Sequence, residues 1–399
     1  MDIRLDKDQK VNKIVTNITE KLKEEIISLF HPKSIILFGS FGKGEISVYE
    51  KNGEIKFLSD CDVIIVPYRL TWLFNRKGLY KFEQDFYKRT GLKVDIRGAT
   101  LTFVFSFPFL IKWMIPTIAI YDLKYASKVI HGKNYLERIP NFHPKDIPLW
   151  EGIKLLLNRA AESLIYFSPK NPNENMTFWT DKIVLACQDA LLISKGIYNS
   201  SLIIRNKMFK KMFPSFIDEI GRECSDLLML ATDATNRRIK RVKYSGDPIR
   251  YWFEARRIWD KTFRYIVKND LRMEFKDYVE FQEKYIKNER IKEYQFEILS
   301  SAIYQNVVSM LKIASLKDIK LLIKIVCQKL SFTFWRHIIH SLIPLIYFGI
   351  SEEYEVNKWY LNRVRNILSK FKELKETSCI VEEYEYLKNE VLHIWYHLR

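Results

Sequence analysis

Three aspartates stand beside apolar runs at a spacing that suits divalent cations. Asp60 and Asp62 flank Cys61 directly before the run Val63–Val66, and Asp95 lies between Val and Ile. Side chains alternate along a strand, so Asp60 and Asp62 share one face and Cys61 points to the other. Mg²⁺ prefers one or two protein carboxylates together with substrate phosphates. These acids therefore predict a site for Mg²⁺, or for Mn²⁺ in its place.

A glycine-rich turn precedes the acids. The apolar run Ile35–Phe38 ends at Gly39-Ser40, and Gly42 and Gly44 follow closely. Glycine lets backbone N–H groups approach a phosphate because no Cβ stands in the way. The Ser40 hydroxyl adds a donor at the same place. Gly39 and Ser40 are therefore predicted to bind phosphate.

Short strands and flanking helices must position these residues. The runs Ile35–Phe38 and Val63–Val66 and the segment around Asp95 are typical of buried strands. Apolar residues at helical spacing predict an amphipathic helix over Val11–Phe30, and residues 71–90 are expected to be helical in part. Tyr49–Phe57 reads as a hairpin with an Asn-Gly turn. Together these elements predict a small mixed sheet with flanking helices.

The order of these motifs resembles that of the DNA polymerase β-like nucleotidyltransferase superfamily: a strand, a Gly-Ser turn, Asp-x-Asp at a second strand and a lone Asp on a third. The residues that carry the resemblance are Gly39, Ser40, Asp60, Asp62 and Asp95, and it covers about the first 100 residues. The gap between Gly-Ser and Asp-x-Asp is longer here than in minimal members, and the predicted hairpin fills it.

The resemblance implies a Mg²⁺-dependent nucleotidyltransferase that moves a nucleoside monophosphate from an NTP, such as ATP, to an acceptor and releases pyrophosphate. Gly39 and Ser40 would hold the β- and γ-phosphates, and Asp60 and Asp62 would carry the metals. Asp95 would bind the catalytic metal and accept the proton of the acceptor hydroxyl. Three acceptor classes stay open: RNA, especially tRNA; a protein side chain; and a small molecule.

The pattern along the whole chain predicts an α+β fold in which a mixed sheet is followed by mostly helical domains. We expect a nucleotidyltransferase catalytic domain at 1–140, a helical acceptor-binding domain at 141–246 and a C-terminal helical domain at 247–399, whose role the sequence does not indicate. Tyr121–Leu149, which contains three prolines, is interpreted as a connector. Helices are predicted at Trp150–Phe167, Asp181–Gly196, Tyr251–Val267, Met273–Asn288, Ile291–Ser315, Ile319–Lys329, Trp359–Leu374 and Val381–Leu398.

The charge of the chain favours anionic partners. The net charge is +17, and Arg205–Lys268 contributes +8 of it, with 16 Lys and Arg against 8 Asp and Glu. The densest basic run is Arg237–Lys243. Two interpretations of this run remain: a solvated helix face, or a contact to a nucleic-acid backbone or a triphosphate.

Cysteine usage and hydropathy predict a cytoplasmic protein without a membrane span. The five cysteines are scattered and form no C-x-x-C pair, which argues against a disulfide framework or a zinc ribbon. The charged start of the chain is unlike a secretory signal. Thr100–Tyr121 is strongly apolar, but Pro108, Lys112 and Pro116 interrupt it. We interpret it as a buried strand, a turn and a short helix.

Two alternative functions use the same fold. One is a catalytically inactive protein that binds nucleotides or nucleic acid. The other is a component of a toxin–antitoxin pair that nucleotidylates RNA or a partner protein. Metal-dependent NTP turnover separates the first alternative from an enzyme.

Overall fold

The protein has two compact units in its computed structural model, which describes residues 9–51, 54–66, 76–96, 116–169, 172–240, 242, 244–291 and 332–398. The sheet unit consists of the described residues of Met1–Ile147, Gly196–Lys210 and Thr232–Lys243. The helical unit consists of those of Pro148–Lys195, Lys211–Ala231 and Tyr244–Arg399. The expected division into three domains at residues 140 and 246 stays a prediction.

The sheet unit contains a four-stranded mixed sheet and a separate hairpin. The strands are β1 (Ser34–Phe38), β2 (Val48–Lys51), β3 (Glu54–Phe57), β4 (Cys61–Val66), β5 (Val94–Ile96) and β6 (Lys128–Gly132). The sheet order is β5-β4-β1-β6. β1 runs antiparallel to β4 and β6, whereas β4 and β5 are parallel. β2 and β3 form the antiparallel hairpin predicted at Tyr49–Phe57, whose turn at 52–53 lies outside the described residues.

Helices cover both faces of the sheet. The helices of this part of the chain are α1 (Gln9–Phe30), α2 (Gly39–Lys43), α3 (Arg76–Thr90) and α4 (Ile118–Ala126). Apolar residues of α1 and α3 pack on the face formed by Ile35, Leu37 and Val63. Leu123 of α4 packs on the opposite face, against Ile36 and other residues. Because β1 and β4 are buried on both faces, they read in the sequence as continuous apolar runs.

One part of the connector prediction is wrong. Tyr121–Leu149 was expected to link two domains, but it contains most of α4 and all of β6, which forms an edge of the sheet beside β1. The side chains of β6 are half-buried or exposed, as is usual at a sheet edge. A short helix was expected at the end of Thr100–Tyr121, and the structure has α4 there, which begins at Ile118 but continues to Ala126; its first turn is capped by the Thr117 side chain. Residues 97–115 lie outside the described part of the chain.

The remaining described elements are helical. They are α5 (Trp150–Tyr166), α6 (Glu174–Ser194), α7 (Leu202–Ile220), α8 (Leu227–Lys240), α9 (Pro248–Leu271), α10 (Tyr278–Lys287), α11 (Phe332–Tyr347), α12 (Lys358–Leu368) and α13 (Ile380–Leu398). α6 begins at Glu174 rather than Asp181 because the Asn173 side chain accepts hydrogen bonds from the first turn. The helices predicted at Ile291–Ser315 and Ile319–Lys329 lie almost entirely outside the described residues.

The helical unit is built around aromatic side chains. Trp252, Trp259 and Phe263 of α9 are fully buried, and Tyr347 of α11 packs edge-on against both tryptophans. Aromatic residues make up 14% of the chain, and this packing places part of them in the core. Among the described residues, no helix is long and apolar enough to cross a membrane.

Candidate active site

Two of the predicted acids lie side by side in the sheet. The parallel pairing of β4 with β5 places Asp62 in register with Asp95. Neighbouring strands are roughly 5 Å apart, and residues in register point to the same face. Both aspartates are half-buried. The backbone N–H of Ile96 donates to a carboxylate oxygen of Glu83 at 2.8 Å, so α3 holds the strand that carries Asp95.

Asp60 lies one residue before β4. The side chains of residues 60–62 alternate between the two faces of the sheet, as the sequence predicts. Cys61 is fully buried in the core between α1, α3 and the sheet, whereas Asp60 and Asp62 are half-buried. Burial raises the pKa of the Cys61 thiol well above its ordinary value, and the negative charges of Asp62 and Asp60 raise it further. The thiol is therefore an inert part of the core, and the two carboxylates belong to the other face.

Gly39 brings the turn directly against Asp62. Its φ is +62°, a conformation that favours glycine, and a Cβ at this position would lie 2.5 Å from Asp62 Oδ2. Any side chain at residue 39 would displace that carboxylate. The approach joins the end of β1 to Asp62, which is also the register partner of Phe38.

Ser40 faces the segment that carries Asp60. Its Oγ lies 3.5 Å from the backbone oxygen of Asp60, at the outer limit of a hydrogen bond. The hydroxyl is therefore held near the acids by a contact that is easily exchanged for a stronger acceptor. Gly39, Ser40, Asp60, Asp62 and Asp95 thus all lie at one end of the β1–β4–β5 part of the sheet.

A largely buried network of charged and polar side chains holds α2, the helix that begins at the glycine-rich turn. Lys43, the last residue of α2, forms a 2.5 Å ion pair with Asp122 of α4, and both side chains are largely buried. Tyr198 donates its hydroxyl proton to the Asp122 carboxylate, 3.3 Å from either oxygen. Arg205, which is buried, donates to the Tyr198 hydroxyl at 3.3 Å and to the backbone oxygen of Asn199 at 2.7 Å. The network ties α2 to α4 and to the start of α7.

Two more contacts hold the chain that follows the turn. Glu45 accepts hydrogen bonds from the Ser201 hydroxyl and the Leu202 N–H, both at 2.8 Å, and so caps α7. Ser47 donates its hydroxyl to the backbone oxygen of Arg238 at 3.4 Å, and its N–H donates to the Ser59 hydroxyl at 3.0 Å. The basic end of α8 is therefore connected through Ser47 to Ser59, the residue before Asp60.

Sequence reasoning missed this supporting network. Lys43 directly follows the glycine-rich turn, which is a weak local cue. Asp122, Tyr198 and Arg205 are separated from it by dozens of residues and belong to no motif. Such partners become visible only when the fold brings them together.

The acids fit a metal that is shared with a substrate rather than one enclosed by protein. Among the described residues, no three His, Cys, Asp or Glu side chains are gathered closely enough to hold a metal ion by themselves. Mg²⁺ commonly takes only one or two carboxylates and fills its other positions with water and phosphate oxygens. Asp62 and Asp95 in register, with Asp60 two residues before Asp62, could supply such a partial set of ligands.

The basic segment Arg205–Lys268 has two different parts. Between residues 256 and 268, Arg256 is buried and donates to the backbone oxygens of Tyr347 and Ile350. The other four cations there are in ion pairs, namely Arg257 with Asp226, Lys261 with Glu223, Arg264 with Asp260 and Lys268 with Glu274. In the earlier part, Lys207 and Lys210 of α7 are exposed, and Arg237 and Arg238 of α8 are half-buried. Much of the positive charge of the later part is therefore compensated within the helical unit.

Comparison with protein-family models, with curated proteins and with solved structures finds no match to this chain. The arrangement of its own residues is consequently the basis for assigning a function.

Proposed function

We propose that the chain is a Mg²⁺-dependent nucleotidyltransferase, which transfers a nucleoside monophosphate from an NTP to an acceptor and releases pyrophosphate. The observation that carries the proposal is the approach of Gly39 to Asp62, the register partner of Asp95. A turn suited to phosphate and a set of carboxylates suited to Mg²⁺ then meet at one end of the sheet. The resemblance of the motif to polymerase β-like nucleotidyltransferases supports the same assignment.

The turn binds the triphosphate. Backbone N–H groups at Gly39 and Ser40 approach the β- and γ-phosphates, since glycine leaves the space open. The Ser40 hydroxyl exchanges its long contact with the Asp60 backbone for a charged phosphate oxygen. The network of Lys43, Asp122 and Tyr198 keeps α2 fixed while this happens.

The carboxylates orient the reacting groups. Asp60 and Asp62 would hold the divalent cations, and Asp95 accepts the proton of the acceptor hydroxyl as that oxygen attacks the α-phosphorus and pyrophosphate leaves. Mg²⁺ or Mn²⁺, when bound, neutralises the charge that develops on the phosphate and the leaving group. Bound cations would also reduce the repulsion among the carboxylates at this end of the sheet.

The acceptor is RNA, a protein side chain or a small molecule. The connection of Ser47 and Ser59 to the basic end of α8 favours a polyanion such as RNA over the other two. A small-molecule acceptor needs no positive charge beside the acids.

The test is incubation of the purified protein with each labelled NTP and Mg²⁺ or Mn²⁺, together with cellular RNA, protein and small-molecule fractions. Asp62→Asn should abolish transfer of label. The matched control is Asp85→Asn on the exposed side of α3, which changes the charge equally and should leave transfer intact. Metal-dependent NTP binding without any transfer would instead favour the inactive nucleotide-binding alternative. A wild-type protein that binds no NTP would refute both.

A further inference from the structure

A lysine lies beside the acids on the same side of the sheet. Lys93 directly precedes β5, and its Nζ is 3.9 Å from Asp60 Oδ2. Its backbone is fixed, because its carbonyl oxygen accepts a 2.8 Å hydrogen bond from the Cys61 N–H. Its side chain is 71% exposed and that of Asp60 is 39% exposed. The ammonium therefore lies at the end of a long, exposed side chain whose backbone is hydrogen-bonded to the first residue of β4.

Strand alternation places this cation with all three acids. Lys93 is two residues before Asp95 and so shares its face, and the register of β4 with β5 puts Asp60 and Asp62 on that face as well. Phe82 and Phe86 of α3 pack on the other face, against the side chains of Cys61 and Val94. Among the described residues, Lys93 is therefore a cation on the face of the acids, and its ammonium lies nearest to Asp60.

The contact is weak enough to be exchanged. Ion pairs between exposed side chains contribute little, since both partners stay well solvated and the side chains must be ordered to meet. A divalent cation has twice the charge and binds carboxylates directly, so it competes well with the ammonium for Asp60. Once displaced, the flexible lysine stem keeps the ammonium close to any phosphate bound at the same edge.

We propose that Lys93 has two alternative positions: beside Asp60 before a divalent cation binds, and on phosphate oxygens of the NTP or of pyrophosphate afterwards. This inference rests on the proposed function and adds a phosphate-binding residue to it. Lys93 compensates the acids when no metal is bound and the phosphates when one is.

The test measures two affinities that change in opposite directions. Mn²⁺ binding to the protein alone is followed by electron paramagnetic resonance, and binding of pyrophosphate or of a non-hydrolysable ATP analogue with Mg²⁺ is followed by calorimetry. Lys93→Gln should bind Mn²⁺ about two- to fivefold more tightly, because a competing charge is gone. The same variant should bind pyrophosphate and the analogue about five- to tenfold more weakly, because a phosphate partner is gone.

Two further variants complete the experiment. Lys93→Arg keeps the charge and should restore both affinities towards those of the wild type. Lys88→Gln, on the exposed surface of α3 over the opposite face, makes the same change in net charge and should alter neither.

The outcomes separate this inference from the proposed function. A wild type that binds Mn²⁺ and the analogue, with Lys93→Gln unchanged in both, would overturn the role of Lys93 alone. Weaker binding of both by Lys93→Gln would overturn the exchange between two positions. A wild type that binds neither Mn²⁺ nor the analogue would overturn this inference together with the nucleotidyltransferase assignment.

Discussion

Tyr198 donates its hydroxyl proton to Asp122, 76 residues earlier in the chain, and Asp122 in turn pairs with Lys43 at the end of the helix that begins at Gly39. The phosphate-binding turn proposed here is therefore supported by a segment that follows two helices of the other unit in the sequence. The support consists of largely buried charged groups, whose hydrogen bonds are worth more than those at a surface.

Tyr198→Phe tests that support. We expect the free energy of unfolding to fall by about 1–3 kcal/mol, because a buried hydrogen bond to a charged group is lost while the ring is kept. NTP affinity should fall as well, since α2 is less firmly held. Urea unfolding and calorimetry measure the two effects. Tyr80→Phe, on an exposed side chain of α3, is the control and should change neither.

Gly39→Ala and Gly91→Ala separate backbone strain from the contact with Asp62. Both glycines have a positive φ, of +62° and +70°, but a Cβ at Gly91 meets nothing within 4 Å. Gly91→Ala should cost about 1–2 kcal/mol of stability through its conformation alone. Gly39→Ala should cost more and should also weaken Mn²⁺ binding, because the new Cβ moves the Asp62 carboxylate. Equal losses, with Mn²⁺ binding intact, would show that the approach to Asp62 has no role in the site.

Ser40→Ala removes one phosphate donor and no packing. We expect kcat/KM for the NTP to fall by an amount equivalent to about 1–3 kcal/mol of transition-state stabilisation. The midpoint of thermal unfolding should stay close to that of the wild type, since the existing contact of Ser40 is long. Ser215→Ala on an exposed position of α7 is the control. Unchanged kinetics would exclude the Ser40 hydroxyl from phosphate binding.

Cys61 should make stability depend on pH under alkaline conditions. Burial is the main reason that its pKa is raised in the folded protein, so folding favours the protonated thiol. The unfolded thiol ionises at about pH 8.5, and above that pH the free energy of unfolding should fall by up to about 1.4 kcal/mol per pH unit. The stabilisation is fully present below the unfolded pKa.

Comparison of the wild type with Cys61→Ala between pH 7 and pH 10 isolates this effect. The variant should be less stable at pH 7, because it leaves a small cavity, and its stability should fall less steeply above pH 9. Parallel curves for the two proteins would contradict the buried placement of the thiol.

The two parts of the basic segment predict different effects on RNA binding. Replacing Arg237 and Arg238 with Gln should weaken binding for all sequences alike and flatten the salt dependence by about one unit per lost phosphate contact. The control pair Lys261→Gln and Lys268→Gln makes the same change in net charge at cations of the helical unit. Arg237 and Arg238 instead belong to the helix end that contacts Ser47, so the control pair should have a much smaller effect. Filter-binding titrations against tRNA and mixed RNA at several salt concentrations provide the measurement. Salt-insensitive binding throughout would exclude a nucleic-acid acceptor.

The sequence predicts the central strands well, because β1 and β4 are buried on both faces and therefore consist of continuous apolar runs bounded by glycine or aspartate. It misses β6, since Lys128–Gly132 is a half-exposed edge strand and lacks such a run. The face shared by Asp60 and Asp62 follows from alternation along one strand. The register of Asp62 with Asp95, the approach of Gly39 and the Tyr198 network depend on pairings between distant segments, for which local patterns give no signal.

The sheet unit is built from three separate stretches of the chain, and this has a consequence for biosynthesis. Its last segments, Gly196–Lys210 and Thr232–Lys243, leave the ribosome well after the four strands have been made. At 5–20 residues per second, the stretch between residues 147 and 243 takes about 5–20 seconds to synthesise. Until then Glu45 lacks its hydrogen bond from Leu202 at the start of α7, and Asp122 lacks its hydrogen bond from Tyr198. The nascent strands therefore lack these contacts until a much later part of the chain has been synthesised. During that period they are exposed to chaperones, to proteases and to pairing with other nascent chains.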